Sequence, residues 1–496
     1  MSKPARVSQE QQIECVEHLI EIDGREQEKH TLVSILSCSI ATGGFIFGYD
    51  TGTIAGYINM RSFIRNFGQV DKVSVSAYLT REKAGLIVSC LSLGACVGGV
   101  FGGVVAERHG RKTGIMAATF TYIAATVIQV TAKNGWYQIL CGRIICGLAI
   151  GALAVVVPML QAEIAPPNLR GALVSSFQLM VTLGIATGYI ICFLTSKISG
   201  EYSYRIPMSL CFVWAFFLVL AIIMMPESPR YLMSMGKTEE ATNSISFLYR
   251  KSSGDSVVRE RIASIEASLQ MEKNAGCAKW RELWSRRLLD GVLIQMFQQL
   301  CGANYFFYYG TTLFKSVGIE NSFVTSIIFG TLNFLATFGG LYNVDRFGRR
   351  KCLLVGSVAM MVFLVAYSSL GSQLQDDKEN GEREASIMVG SAMIVVTCLY
   401  ICSFAMTWAP IAFVVCSEIF PLKVKSKGMA IAIGSNWITN FLISFLTPFI
   451  TDTIGYYYGF VFSGCLLMSV VFVYFMIPET KGLSLEEIDR MFETTR

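Results

Sequence analysis

Apolar runs about twenty residues long recur along this chain, near 31–57, 83–105, 113–133, 136–160, 172–196, 205–225, 287–316, 322–343, 351–371, 387–416, 428–454 and 456–477. Each can cross the ~30 Å hydrocarbon core of a bilayer as an α-helix. Hydrocarbon offers no partner for a free peptide group, so such a run has to pair its own N–H and C=O groups within a helix. The alternating segments of about ten residues that build a membrane barrel do not occur. Charged residues make up 16% of the 496 positions, against about 25% in a typical soluble domain. The expectation is an all-α membrane protein with about twelve transmembrane helices.

Two copies of one short pattern sit between the runs. The first is Gly102-Gly103-Val104-Val105-Ala106-Glu107-Arg108-His109-Gly110-Arg111-Lys112, the second Asp345-Arg346-Phe347-Gly348-Arg349-Arg350. Each is an acid, an arginine, a glycine and a basic pair, directly after a hydrophobic run. Two more matches follow in the same order. Glu163 with Arg170 corresponds to Glu418 with Lys425, seven residues apart in both cases, and Pro226-Glu227 corresponds to Pro478-Glu479. Three matches in order indicate a duplication, which predicts two pseudo-symmetric six-helix halves. In transporters such halves enclose a substrate site near the bilayer midplane. The boundaries read as a polar tail over 1–30, a first half over 31–225, a charged linker with short helices over 226–286, a second half over 287–477 and a tail over 478–496.

Basic residues gather on one side of the predicted spans. Arg108, Arg111, Lys112, Arg170, Arg346, Arg349, Arg350, Lys351, Lys423, Lys425 and Lys427 lie there, with Arg230, Lys237, Arg250, Lys251, Arg259, Arg261, Arg281, Arg286 and Arg287 in or beside the linker. The opposite side is sparser, with Arg61, Arg65, Lys72, Arg81 and Lys83. The positive-inside rule places the first set and both termini in the cytoplasm. The net charge of +5 is then a topology signal, not a nucleic-acid footprint. His18, His30 and His109 all lie outside the spans, and most of the 15 cysteines lie within apolar runs without zinc-type pairs. No metal site, cofactor or nucleophile–base arrangement is expected, which argues against an enzyme. Met1 is followed by polar residues up to Thr31, so no cleavable signal peptide is expected.

The motifs are dense enough to carry a family likeness. They include Gly48-Tyr49-Asp50, Gly142-Arg143, Glu163-Ile164-Ala165-Pro166 through Arg170-Gly171, and Pro226-Glu227-Ser228-Pro229-Arg230. The second half adds Gln298-Gln299-Leu300-Cys301-Gly302-Ala303-Asn304, the Asp345 loop, Glu418-Ile419-Phe420-Pro421 and Pro478-Glu479-Thr480-Lys481-Gly482. From about residue 31 to 490 the chain resembles the sugar porter family of the major facilitator superfamily. Thr407-Trp408-Ala409-Pro410 and Asn436-Trp437 give it the flavour of the fungal hexose transporters. The resemblance implies the major facilitator fold and alternating-access transport of a monosaccharide by a chain that functions as a monomer in the plasma membrane.

A sugar needs groups that both donate and accept hydrogen bonds, and the amides of Asn and Gln do so without a charge to desolvate. The seventh run places Gln295, Gln298, Gln299 and Gly302 at i, i+3, i+4 and i+7, on one helix face. Lipid would penalise that face, so it should point inward. Asn304 falls off the stripe unless the helix breaks near Gly302. The plainer reading of such amides is that they hold helices together; for Gln298, Gln299 and Asn304 the family motif favours the sugar. By resemblance Gln178, Asn333, Asn436 and Trp437 line the pocket. Asn440 reads equally as a packing contact. Phe413 occupies a position where the family often has tryptophan, which keeps a stacking face but loses the indole donor.

Asp50 and Arg143 are charges within spans and should be partners, because an unpaired one costs about 2.5–3.5 kcal/mol. Related proton-coupled symporters use these positions as proton site and partner, and fungal facilitators can retain the aspartate too. Facilitated diffusion of hexose, glucose foremost, is the leading expectation, with proton symport through Asp50 as the alternative. Glu107, Arg108, Arg111, Glu163, Arg170, Asp345, Arg346, Arg349 and Glu418 should form cytoplasmic salt-bridge clusters that gate the site. A non-transporting glucose sensor is the remaining alternative; sensors of this fold carry long cytoplasmic tails, and the chain stops soon after Lys481-Gly482.

Overall fold

In the computed structural model the described residues are 31–70, 77–133, 135–166, 169–275, 284–316, 322–380, 383–421, 424–481, 488 and 491–492. The tail over 1–30, most of the tail over 478–496, and Lys72, Arg281 and Lys423 lie outside them.

The apolar runs fold as helices. The first span is α1 (Thr31–Ile40) and α2 (Thr42–Tyr57). A short α3 (Arg61–Phe67) and a two-stranded antiparallel ribbon, β1 (Gln69–Val70) with β2 (Ala77–Tyr78), follow. Then come α4 (Arg81–His109), α5 (Arg111–Val130), α6 (Trp136–Ile164), α7 (Arg170–Ser196) and α8 (Tyr202–Met224). Three amphipathic linker helices are α9 (Pro229–Ser234), α10 (Thr238–Tyr249) and α11 (Ser256–Ala275). The second half has α12 (Arg286–Leu300) and α13 (Ala303–Ser316) as one broken span, then α14 (Ser322–Phe347) and α15 (Arg349–Asn380). It ends with α16 (Arg383–Met406) and α17 (Trp408–Ile419) as a second broken span, then α18 (Lys425–Ile454) and α19 (Tyr458–Met476). Ten helical stretches are long and apolar enough to cross a membrane. One of these, Lys427–Met476, is two helices separated by a turn at Gly455–Tyr457. The α12–α13 pair completes twelve spans.

The breaks have local causes. Pro410 lacks an N–H and its ring clashes with the carbonyl four residues back, so α16 stops at Met406 and α17 restarts after Thr407. Gly302 has φ +92° and separates α12 from α13. Elsewhere small residues let helix backbones touch. A methyl on Gly98 of α4 would lie 2.0 Å from the Leu148 carbonyl oxygen of α6, and one on Gly48 of α2 would lie 1.8 Å from that of Val181 in α7. In a bilayer, where water does not drive helices together, such close packing is a main source of association.

Two large hydrophobic cores result, with a small third one at Ala55, Val181, Ile185 and Tyr189. One fills the first half and continues into the linker through Ile245, Leu248, Val258 and Ile265. The other fills the second half and crosses into the first through Ile54, Tyr57, Phe63, Phe67 and Tyr204. All five lie at the end opposite the Gly110 and Gly348 loops. There Thr312 Oγ1 donates to Asn59 Oδ1 at 3.0 Å, Tyr189 OH donates to the Phe307 carbonyl at 2.6 Å, and Arg81 pairs with Asp452. These contacts join the halves at the far end. At the loop end the Arg111–Glu163 and Arg349–Glu418 pairs each lie within one half.

Candidate functional site

Midway along the helices, a cluster of amides gathers where the halves meet. The break at Gly302 builds it. A methyl on this residue would lie 2.7 Å from the Phe462 ring, and its positive φ suits glycine alone. The turn brings Asn304, off the helical stripe by spacing, back onto the cluster, where its Nδ2 donates to Gln299 Oε1. Gln299 Nε2 donates to Asn436 Oδ1 and to Gln298 Oε1, both at 2.9 Å. Asn436 Nδ2 donates to Gln298 Oε1 and Gln295 Oε1, again at 2.9 Å. Asn440 Nδ2 reaches Gln299 Oε1 at 3.2 Å. Gln295, Gln298, Gln299, Asn436 and Asn440 are all buried. These neutral groups answer one another's donors and acceptors and present a surface suited to a polyhydroxylated molecule.

Gly302→Ala should cost about 1–3 kcal/mol, the usual cost of a side chain held in a sparsely populated backbone region, with the Phe462 contact added. A lower melting temperature of the purified protein, together with reduced transport per surface copy, is the expected result.

The other predicted pocket residues lie at varying distances from this cluster. The Trp437 ring is buried and packs against Phe47 of the first half, with centroids 5.6 Å apart. Asn333 is buried on α14, and Gln178 is half-buried on α7. No hydrogen bond among the described residues ties either side chain to the amides. Phe413 is 40% exposed, so its ring is not packed into the amide cluster. Sequence reasoning missed Ser92, whose Oγ donates to Asn440 Oδ1 at 2.8 Å from the opposite half.

Asp50 and Arg143 do meet. Arg143 Nη1 lies 2.5 Å from Asp50 Oδ2, and its Nε donates to the Ile87 carbonyl at 3.1 Å. Cys146 Sγ contacts Asp50 Oδ1 at 3.5 Å. Arg143 is 1% exposed and Asp50 5%, so the pair links α2, α4 and α6 away from water.

The loop charges form two equivalent clusters, one per half. Arg111 Nε and Nη2 clamp Glu163 at 2.9 and 2.7 Å, and Ser228 Oγ donates to the same carboxylate. In the second half Arg349 Nη2 donates to Glu418 at 2.9 Å, and Thr480 Oγ1 donates to it at 2.6 Å. The Pro-Glu motifs cap helices. Glu227 accepts the backbone N–H of Arg111 at 3.0 Å, and Glu479 accepts that of Arg349 at 2.8 Å. A carboxylate at a helix N-terminus meets free N–H groups and the positive end of the dipole. The three sequence matches thus converge in space within each half. Glu163 takes Arg111, while Arg170 lies beside the like charges of Arg230 and Arg261. Glu107 and Arg108 are exposed, and Arg346 rests on Tyr342 of its own helix. The Asp345 side chain lies outside the described residues.

A family model described as "Sugar (and other) transporter" matches residues 36–492. A low-affinity glucose transporter of Kluyveromyces lactis is 46% identical over 98% of this chain and 87% of its own length. A high-affinity hexose transporter and a galactose transporter of Saccharomyces cerevisiae are each 46% identical over 96% of this chain, covering 84% and 83% of their lengths. Among solved structures, the inward-open conformation of a xylose transporter from E. coli superposes with a TM-score of 0.76 at 23% identity, over 92% of this chain and 99% of that one. The likeness supports the fold: two six-helix halves of the major facilitator type.

Proposed function

The chain belongs to the sugar transporter family, and from that premise we propose that it carries a hexose, glucose foremost, across the plasma membrane by facilitated diffusion. The observation that carries this reading is the buried amide cluster at the point where the two halves meet. Gln298, Gln299, Asn304 and Asn436 are the groups that would hold the sugar hydroxyls, with Trp437 closing the pocket from the side. Gln178, Asn333 and Phe413 would join when the halves rock. Relatives that share nearly half of its residues are named as glucose, hexose and galactose transporters.

Under the positive-inside rule the loop end is cytoplasmic, and the contacts that join the halves at the far end support an inward-facing reading of this state. The two charge clusters would then face the cytoplasm. In the outward-facing state their rims, with Glu107, Arg108, Arg170, Asp345 and Arg346, would meet across the halves. Contacts made in only one of two states are what switching requires. The Asp50–Arg143 pair reads as a fixed brace in a facilitator and as the proton site in a symporter. The chain would work as a monomer.

Uptake of labelled glucose by transporter-deficient cells, with and without a protonophore, tests this for wild type and Asp50→Asn. Uptake that resists the protonophore and survives the substitution is the expected result. Loss of concentrative uptake in both tests would make the protein a proton symporter working through Asp50. Absence of uptake of any sugar by protein at the surface would sink the transport reading.

A further inference from the structure

Most buried hydroxyls on these helices bond back to their own helix: Thr53 to the Tyr49 carbonyl, Thr119 to Ile115 and Thr126 to Tyr122. That is the ordinary resting place of a serine or threonine on a helix away from water. Ser92 behaves differently. It is 1% exposed on α4, and its Oγ donates across the boundary between the halves to Asn440 Oδ1 on α18. Around this bond the two helices run close together. A methyl on Gly85 would lie 2.9 Å from the Phe445 carbonyl oxygen, and Cys96 Sγ lies 3.8 Å from that of Gly434.

The bond has a chemical consequence one residue further on. An amide has a donor end and an acceptor end, and its rotation decides which it shows. With Oδ1 held by Ser92, and reached also by Ser444 Oγ at 3.3 Å, Asn440 turns its Nδ2 to Gln299. The Tyr308 hydroxyl sits beside the same amide and beside Thr51 of the first half. Gln299 in turn bonds Gln298, Asn304 and Asn436.

Resting on the sugar-transport reading, we infer that Ser92 is a positioning residue for sugar recognition: its hydrogen bond from the opposite half fixes the polarity of Asn440, and through it the way Gln299 meets one sugar hydroxyl. Ser92 touches no sugar itself. Its hold on Asn440 depends on how close α4 and α18 lie, so the bond links the separation of the halves to the hydrogen-bonding pattern of the pocket.

The test is initial-rate uptake per surface copy, in both directions, for wild type, Ser92→Ala, Ser92→Thr and Ser92→Cys, with glucose and the set of monodeoxyglucoses. Ser92→Ala is expected to raise the half-saturating glucose concentration about three- to tenfold, the worth of one neutral hydrogen bond, with a smaller change in maximal rate. Threonine keeps the hydroxyl and should restore the wild-type value. Cysteine keeps the size with a weaker donor and should fall between, which serves where the alanine variant does not reach the surface. The penalty should vanish for the one deoxysugar that lacks the hydroxyl in question, and Ser92→Ala should add nothing in an Asn440→Ala background. Equal penalties for every sugar, full additivity with Asn440→Ala, or wild-type behaviour of the hydroxyl-free variant would each overturn the inference. Failure of the wild-type protein to move any sugar would be seen before any variant is made, and would instead remove the reading on which it rests.

Discussion

Replacing Arg143 by leucine is expected to strip the membrane of most of its folded protein. The guanidinium is 1% exposed and holds Asp50 at 2.5 Å. Among the described residues, leucine would leave the buried carboxylate with the Cys146 thiol, a weak donor, as its hydrogen-bond partner. Breaking a buried pair from one side costs about 3–5 kcal/mol, because the charge left behind has no compensation. Asp50→Asn should be milder, since the amide oxygen can still accept from Arg143, which also keeps its bond to the Ile87 carbonyl. The sharpest result is the double substitution. Arg143→Leu with Asp50→Asn removes both charges and should recover much of the stability lost in Arg143→Leu alone, as neutral replacements of buried pairs often do. Thermal unfolding of the detergent-purified variants, with surface abundance in cells, measures this. A double variant as unstable as the sum of the single ones would mean that the pair is not the source of the cost.

The fold was largely legible because bilayer crossing leaves so few solutions. Run length and the ban on free peptide groups specify helices, and the repeated acid–arginine–glycine–basic loops specify two halves. Helix ends were less legible. α15 continues to Asn380, past the apolar run that ends near 371, because a helix can extend beyond hydrocarbon wherever its polar turns reach water. The charge clusters show where pattern stops short of geometry. Matching spacings in the two halves marked Glu163 and Glu418, but Glu163 bonds Arg111, 52 positions away, a partner fixed by the crossing of α5 and α6. In the site the Gln295–Gln298–Gln299 stripe was readable from helical period alone. Asn304 needed the turn at Gly302, which spacing could only suggest. Ser92 gave no signal, since a serine in a glycine-rich helix normally satisfies itself on its own backbone.

Gln299→Ala is expected to lower uptake at limiting sugar about tenfold to a hundredfold, the worth of one to two hydrogen bonds. Gln299 stands at the centre of the amide cluster. Its oxygen accepts from Asn304 and Asn440, and its nitrogen donates to Asn436 and Gln298. Those four bonds use its full capacity of two donors and two lone pairs. A sugar hydroxyl can therefore bind there only by exchanging with an amide already in place, and the exchange is nearly balanced because each bond lost is replaced by one of the same kind. Alanine removes this exchange and leaves four polar groups without their common partner. Asn436 keeps its bonds to Gln298 and Gln295, and Asn440 its bond to Ser92, so the loss in transport should exceed the loss in stability. That ratio separates the two meanings of a buried amide. If Gln299 only binds helices together, alanine will lower the melting temperature and surface abundance while the molecules that do reach the surface keep their half-saturating concentration. If it holds the sugar, those molecules will reach the surface in near-normal number and show a raised half-saturating concentration. Gln299→Glu sharpens the contrast: it preserves length and packing but gives up both donors when ionised, so it should fail in uptake nearly as badly as alanine while filling the same space.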